Sequence, residues 1–224
     1  MNMNNVDPCL YRASVKTIIA DAGTPLAQKL YSANKQRYGS ASNPLRSHGP
    51  DHHLRVYYYA LELAQRLDAI YDEDILAAAA LLHDMAAYYP DKTGERYHDF
   101  DSKLAADVLT EIDFPKDKIE AVLFAVAHHG SDEKYKHQAE PVEVTLLRDA
   151  DKLDAFGPIG VARVVMVRTL KGDTLQQIVE DFHTNGHLER KWRSITYEAT
   201  RDMARKDYEY SKGFFEELAG KLRV

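Results

Sequence analysis

Apolar residues recur at intervals of three and four along almost the whole chain, which is the spacing of one face of an α-helix. Strict apolar–polar alternation, which would indicate strands, is scarce, and glycine and proline fall between the periodic segments. The pattern therefore predicts an all-α protein. With 224 residues, the chain is long enough to bury a sizeable core without covalent or metal staples.

The periodic segments predict a series of helices joined by polar loops. They lie near residues 7–20, 24–36, 51–69, 73–87, 99–112, 116–129, 141–155, 158–170, 174–182 and 190–221. We expect one domain over 1–224, with its motifs within about 50–170 and with the terminal helices, 1–37 and 171–224, packed on that core. The last segment is predicted to form one long helix that packs on the domain or on a second subunit, which leaves a homodimer open.

Composition excludes several classes of protein. The net charge of −6 argues against nucleic acid as a partner, because nucleic-acid binding needs clustered basic residues. A single cysteine, Cys9, excludes a disulfide framework and a thiolate metal cluster, and fits a reducing compartment. The chain has neither a basic leader followed by an apolar stretch nor an apolar run of about 18 residues, so we expect no membrane segment and a cytoplasmic location.

A histidine and an aspartate, His83 and Asp84, end the apolar run Leu76–Leu82. Imidazole and carboxylate are good ligands for divalent metals, and a buried carboxylate needs a cation. The structural alternative is that Asp84 caps a helix or pairs with an arginine. Upstream, His52 extends the apolar stripe that continues at Val56, so it points inward, either as a further ligand or as a core histidine.

A third segment adds carboxylates. Asp151 shares a helical face with apolar residues, and Asp154 follows one turn later. Asp149 points away from that face, where it could hydrogen-bond a metal ligand without itself binding the ion. The alternative is a solvated acidic face balanced by the neighbouring Arg148 and Lys152.

Taken in order, these three segments resemble the HD-domain metal-dependent phosphohydrolase superfamily, most closely its small stand-alone bacterial branch of predicted hydrolases. The matching stretches run from His52 to Val56, from Leu81 to Asp84 and from Arg148 to Ala155. The resemblance selects His52 over His53 and Asp151 over Asp149. It implies an HD-domain-like helical bundle with a long C-terminal helix, and a divalent ion held by His52, His83, Asp84 and Asp151.

Further histidines bear on the number of ions. His98 resembles the position of an extra histidine in binuclear members of the family, and His128 and His129 close a helix, with His129 on its apolar stripe. Binuclear members use such residues to hold a second ion, whereas single-metal members use them on substrate phosphate, so both one and two ions stay open. The remaining histidines lie in or beside polar segments and are expected at the surface: His48, His137, His183 and His187.

The resemblance implies hydrolysis of a phosphoester by metal-activated water, with a nucleotide as the expected small-molecule substrate. The ligand set suits Mn²⁺, Fe²⁺, Co²⁺ or Ni²⁺, with Mg²⁺ and Zn²⁺ as alternatives. Catalytic roles are assigned to Asp84, Asp151 and His129. Substrate-binding roles are assigned to Arg55, His98, His128, Lys152 and Asp154.

One position departs from the family pattern. Many members carry an acidic or basic helper three residues after the Asp of the His-Asp pair, and here that position is Ala87. Tyr88, Asp149, Asp154 or His129 could take over its task. The departure also supports an alternative function, a metal-bound protein that senses a nucleotide or another ligand with little turnover. A purely structural helical adaptor, which would bind no metal, is the third class considered.

Overall fold

The computed structural model describes residues 23–90, 97–130 and 140–222, with the side chains of 97 and 98 outside that description. Its α-helices are α1 Pro25–Ser40, α2 Pro50–Arg66, α3 Glu73–Leu82, α4 Tyr97–Glu111, α5 Ile119–His128, α6 Val142–Leu153, α7 Gly157–Leu170, α8 Leu175–Asn185, α9 His187–Arg193 and α10 Glu198–Leu222. Short 3₁₀ turns lie at Arg46–His48, Met85–Tyr88 and Lys116–Lys118. These ranges contain no strand, which confirms the all-α prediction; the helix expected at 7–20 falls outside them.

Helix α3 lies at the centre of the larger of two apolar cores, packed against α1, α2, α4, α5 and α6. Its segment Leu76–Leu82 is entirely buried, because its four alanines let the neighbouring helices approach closely. The Asp72 side chain caps its N-terminus, accepting hydrogen bonds from the backbone N–H groups of Asp74 and Ile75. Near its other end, Asn34 Nδ2 donates to the Leu81 carbonyl at 2.6 Å. This buried helix therefore delivers its C-terminal residues into the interior.

The second core joins the end of α6 to the C-terminal helices α7 to α10. The prediction of one helix over 190–221 is wrong at its start, because the chain breaks between α9 and α10. The buried carboxylate of Asp149 lies at that break, accepting hydrogen bonds from the backbone N–H groups of Thr196 and Tyr197 and from Thr200 Oγ1, all at 2.9–3.0 Å. A helix N-terminus needs such acceptors, so Asp149 sets where the long helix α10 begins.

The turn between α6 and α7 depends on two glycines. Gly157 has a φ of 71°, in the left-handed region that favours glycine. At Gly160, a Cβ atom would lie 2.1 Å from the Ala155 carbonyl oxygen, so a side chain does not fit there. This tight turn brings Arg163 of α7 back onto Asp154, whose side chain accepts from Arg163 Nη1 at 2.8 Å. No helix in the described ranges has both the length and the apolarity that crossing a membrane requires.

Candidate metal centre

The structure brings together the four side chains that the resemblance implies as ligands. One donor atom each from His52, His83, Asp84 and Asp151 lies within 4.8 Å of all the others. His52 Nε2 is 3.5 Å from Asp151 Oδ1 and 3.6 Å from Asp84 Oδ2. His83 Nε2 is 3.7 Å from the same Asp84 oxygen. These separations are long for direct hydrogen bonds, and they are close to those of ligands that each lie about 2.1 Å from one shared ion.

Three helices position this cluster. His52 lies in the first turn of α2, His83 and Asp84 follow the last residue of α3, and Asp151 lies in the last turn of α6. The prediction that α3 continues to residue 87 is wrong, because the chain leaves the α-helix at His83 and forms a 3₁₀ turn from Met85. That change of geometry lets the adjacent side chains of His83 and Asp84 face the same point.

The outer ring nitrogens fix the tautomer of both histidines. His83 Nδ1 donates to the Ala80 carbonyl at 2.9 Å, and His52 Nδ1 donates to Asp154 Oδ2 at 2.7 Å. With the proton at Nδ1, each neutral ring offers its Nε2 lone pair to the cluster. Among the described residues, the buried His83 Nε2 has no hydrogen-bond partner. Two imidazoles and two carboxylates around an orphaned nitrogen therefore fit a divalent cation.

The electrostatics of the cluster point the same way. Burial disfavours the charged form of Asp84, but its electrostatic interaction with the adjacent His83 and the hydrogen bond from His129 outweigh burial and hold the Asp84 pKa well below its usual range. Burial lowers the pKa of His83 to about 4, so this ring stays neutral. Asp84 and His83 thus have the protonation states in which these groups bind metals. The pKa of His52 is instead raised, because its hydrogen bonds with Asp154 and Asp84 outweigh burial and the charge of Arg163, so a cation must displace a proton from this ring.

His129 lies beside the cluster. Its Nε2 is 3.4 Å from Asp84 Oδ1, and its Nδ1 donates to the Val126 carbonyl at 2.6 Å. Burial lowers its pKa, yet the hydrogen bond and the charge of Asp84 prevail and raise the pKa to about 9. Of the four side chains considered as replacements for the missing helper, Tyr88 is buried against Asn34, and Asp149 and Asp154 are engaged elsewhere. His129 is the one in contact with a ligand oxygen.

Asp154 and Arg55 are engaged with other protein groups in this structure, so their substrate-binding roles stay predictions. The Asp154 carboxylate is 1% exposed and accepts from His52, from Nε and Nη2 of Arg55 at 2.5 and 3.0 Å, and from Arg163. Arg55 also donates to Asp51, at 2.7 Å. Both groups are therefore committed to holding His52 in place, because the buried carboxylate needs its cationic partners.

Lys152 is likewise engaged with protein groups, and its predicted role as a substrate ligand stays a prediction. It is 2% exposed, donates to the Ser194 carbonyl at 2.5 Å and lies 3.6 Å from Asp149, because its face of α6 packs against the C-terminal segment. The ring of His128 stacks on Phe124, and its Nδ1 donates to the Phe124 carbonyl, so its substrate role stays a prediction. The side chain of His98 lies outside the described residues.

Several residues near the cluster were missed or misplaced by the sequence patterns. Arg163 was missed: its Nη2 lies 3.3 Å from His52 Nε2, and sequence spacing cannot relate residues so far apart in the chain.

His48 was expected at the surface, but its Nε2 is 3.8 Å from Asp84 Oδ2. Its spacing of four residues from His52 was the sequence signal that could have indicated this position. His187 was also expected at the surface, but with Lys191 it lines a cavity of about 330 Å³ that begins at Asp84 and Asp151. His183 is exposed as predicted, and His137 lies outside the described residues.

Comparison with known proteins supports this assignment of the cluster. The HD domain family matches residues 51–155, whereas no curated protein matches the chain. Among solved structures, Bacillus subtilis YpgQ in complex with ADP has a TM-score of 0.64 at 22% identity, covering 87% of this chain and 97% of that one. A Lactobacillus plantarum protein has a TM-score of 0.69 at 18% identity, covering 88% and 97%. An HD-superfamily hydrolase from Bacillus thuringiensis has a TM-score of 0.64 at 22% identity, covering 88% and 97%.

The matched segment contains all four residues of the cluster, and the solved structures share its fold. The family and the His/Asp cluster together support a metal-dependent hydrolase. Residues 51–155 of this chain, which contain the whole His/Asp cluster, match the HD domain family.

Proposed function

We propose that this protein is a divalent-metal-dependent phosphohydrolase that cleaves a phosphoester of a nucleotide. The observation that carries the proposal is the convergence of four ligand atoms within 4.8 Å at the mouth of a cavity. The two imidazoles are fully buried, whereas the Asp151 side chain is 24% exposed, so the cluster opens towards that cavity. A bound divalent ion supplies Lewis-acid activation of water and offsets charge on the phosphoryl oxygens.

The chain's own residues supply the remaining parts. Arg163 lies against His52 Nε2, the atom that an ion would take, and its N–H group would then be free to donate to a phosphoryl oxygen. His129 holds a proton at Nε2 beside Asp84, where it can be passed to the leaving oxygen. Asp154 keeps His52 oriented, and its own contacts with Arg55 and Arg163 keep it ionised. In this proposal, Asp84 and Asp151 act in catalysis as ligands of the ion.

A nucleotide substrate is supported by two observations. A structural neighbour, YpgQ, was solved in complex with ADP. The cavity of about 330 Å³ falls within the size range of small-molecule sites.

A sensor with little turnover is the second candidate. Its support is Ala87, which is 1% exposed, offers no acid or base, and uses its carbonyl to accept from Leu45 N at 2.9 Å. Such a protein would hold the same ion and a nucleotide without hydrolysing it.

The test is elemental analysis of protein purified without chelator, combined with a phosphate-release screen of nucleotides. We expect about one ion per chain and phosphate release, both lost in His83→Ala and both kept in His183→Ala, whose histidine is exposed on α8. About two ions per chain would place His98 and His129 among the ligands. Bound metal and tight nucleotide binding without any release would establish the sensor instead. Absence of metal from the unmodified protein would refute both candidates.

A further inference from the structure

A buried asparagine of α1, Asn34, lies among the apolar residues of the larger core. Its side chain is 0% exposed, and its neighbours on the same helix, Ala27 and Leu30, belong to that core. A buried amide needs partners for both its donor and its acceptor, because an unsatisfied polar group in the interior costs free energy. The two partners of Asn34 lie on either side of the break at which α3 ends.

The amide nitrogen of Asn34 donates to the last turn of α3. Nδ2 lies 2.6 Å from the Leu81 carbonyl oxygen. A helix leaves its last four carbonyls without partners inside the helix, and Leu81 supplies one of these four, because α3 ends at Leu82. The carbonyl of Ala80 accepts from Nδ1 of His83 in the cluster. Side chains therefore take up these carbonyls where the chain leaves the helix.

The amide oxygen of Asn34 accepts from the other side of the break. Tyr88, the last residue of the 3₁₀ turn, donates its hydroxyl to Asn34 Oδ1 at 2.8 Å. The same hydroxyl lies 3.3 Å from Nδ1 of His53, whose ring centroid is 4.9 Å from that of His83. One side chain thus bridges residues 81 and 88, and the segment between them contains His83 and Asp84.

The middle of this bridged segment is fixed by other parts of the chain. Oδ1 of Asp101, a buried residue of α4, accepts from the Ala86 N–H group at 2.5 Å. The Ala87 carbonyl accepts from the Leu45 N–H group at 2.9 Å. The turn after the cluster residues is therefore held in place, and Asn34 ties this turn back to the end of α3.

We propose that Asn34 is a positioning residue of the metal centre: its hydrogen bonds to Leu81 and Tyr88 hold the break after α3 in the conformation in which His83 and Asp84 face one ion. This inference deepens the proposed function, because it rests on the ion held by the cluster. It adds a residue of α1, a helix that precedes the matched residues 51–155. Asn34 acts through the backbone on both sides of the pair.

The test compares Mn²⁺ affinity, measured by calorimetric titration, with stability measured in the presence of chelator. Asn34→Leu has a similar branched shape and removes both hydrogen bonds, so we expect Mn²⁺ to bind about tenfold more weakly. The visible absorption of bound Co²⁺ should change as well, because it depends on the arrangement of the ligands. Tyr88→Phe removes one hydroxyl and leaves the bond to Leu81, so the expected loss is about threefold.

Thr24→Ala is the matched control on the same helix. The Thr24 hydroxyl caps α1 by accepting from the Ala27 N–H group at 3.1 Å. The control should lose stability and keep both its Mn²⁺ affinity and its Co²⁺ spectrum. It therefore separates positioning of the pair from general destabilisation of α1.

Wild-type Mn²⁺ affinity in folded Asn34→Leu or Tyr88→Phe protein would overturn the inference, as would an equal loss of affinity in Thr24→Ala. Tyr88→Phe carries the test if Asn34→Leu does not fold. Because Mn²⁺ binding needs no turnover, weaker binding in the variants of a protein that hydrolyses no nucleotide would uphold the role of Asn34 and refute the enzyme. Hydrolysis with unchanged Mn²⁺ affinity in the variants would do the reverse, and a wild-type protein that binds no Mn²⁺ would overturn both.

Discussion

Replacing Asp154 by Asn tests whether a residue outside the ligand set controls metal binding. The carboxylate of Asp154 accepts the Nδ1 proton of His52 at 2.7 Å and so leaves Nε2 free for the ion. An amide has one acceptor atom, which the guanidinium of Arg55 would claim. Its NH₂ group would then face His52 and favour the tautomer with the proton at Nε2, where a metal cannot bind.

The magnitude follows from these contacts. Loss of the hydrogen-bond partner of a ligating histidine weakens metal binding about 10- to 100-fold, which corresponds to about 1.4 to 2.7 kcal/mol. Asp154 is 1% exposed, and removing one partner from a buried ion pair destabilises a protein by about 3 to 5 kcal/mol. The amide can still accept from Arg55, so we expect the lower end of that range for the free energy of unfolding.

The assay is calorimetric titration with Mn²⁺, paired with urea unfolding in the presence of chelator. Asp149→Asn is the matched control, because Asp149 is equally buried, in the helix α6 that ends just before Asp154, but accepts its hydrogen bonds from the start of α10. The control should lose stability and keep its metal affinity. Wild-type affinity in Asp154→Asn, or an equal loss of affinity in Asp149→Asn, would refute the reasoning.

Two further predictions concern the turn before α7 and the protons of the site. Gly160→Ala should lower the free energy of unfolding by about 2 kcal/mol or more, since the added Cβ meets a backbone carbonyl. The control Gly213→Ala lies in open space on α10 and should not destabilise the protein. Thermal unfolding compares the two variants, and equal melting temperatures would contradict the clash. Burial and the charge of Arg163 lower the pKa of His52, but its hydrogen bonds with Asp154 and Asp84 prevail and raise the pKa above its usual value, so the metal-free cluster holds a proton on His52 that a cation must displace. Mn²⁺ affinity should therefore rise with pH through neutrality, about tenfold per unit for each proton released, and an affinity that stays flat between about pH 6 and pH 8 would refute this.

Three members of the His/Asp cluster could be proposed from local sequence, because they lie at positions that a helix fixes. His52 continues an apolar stripe, and His83 and Asp84 end a run that can only be buried, so their direction was visible before any packing was known. The choice between Asp149 and Asp151 came from the resemblance, and the structure agrees with it: Asp151 joins the cluster and Asp149 caps α10.

The roles of the surrounding charges could not be predicted in the same way. Arg55 and Lys152 carry the charge that a phosphate needs, but both are engaged with buried acceptors supplied by distant parts of the chain. The break before α10 was missed for a similar reason, because the group that caps it is a side chain of α6. Periodicity describes one helix at a time and gives no information about such partners.

The sequence by itself determined that this protein is helical, where most of its helices lie, and which side chains could bind an ion, since helix formation and side-chain direction depend on neighbours within one or two turns. Only the tertiary structure decided which charged side chains near the cluster are engaged with other protein groups and which are accessible from the cavity. His52 and Asp154 are 102 residues apart, and their hydrogen bond and the cavity exist because separate helices pack together. Burial forces each charge to find a partner, and which partner it finds depends on that packing.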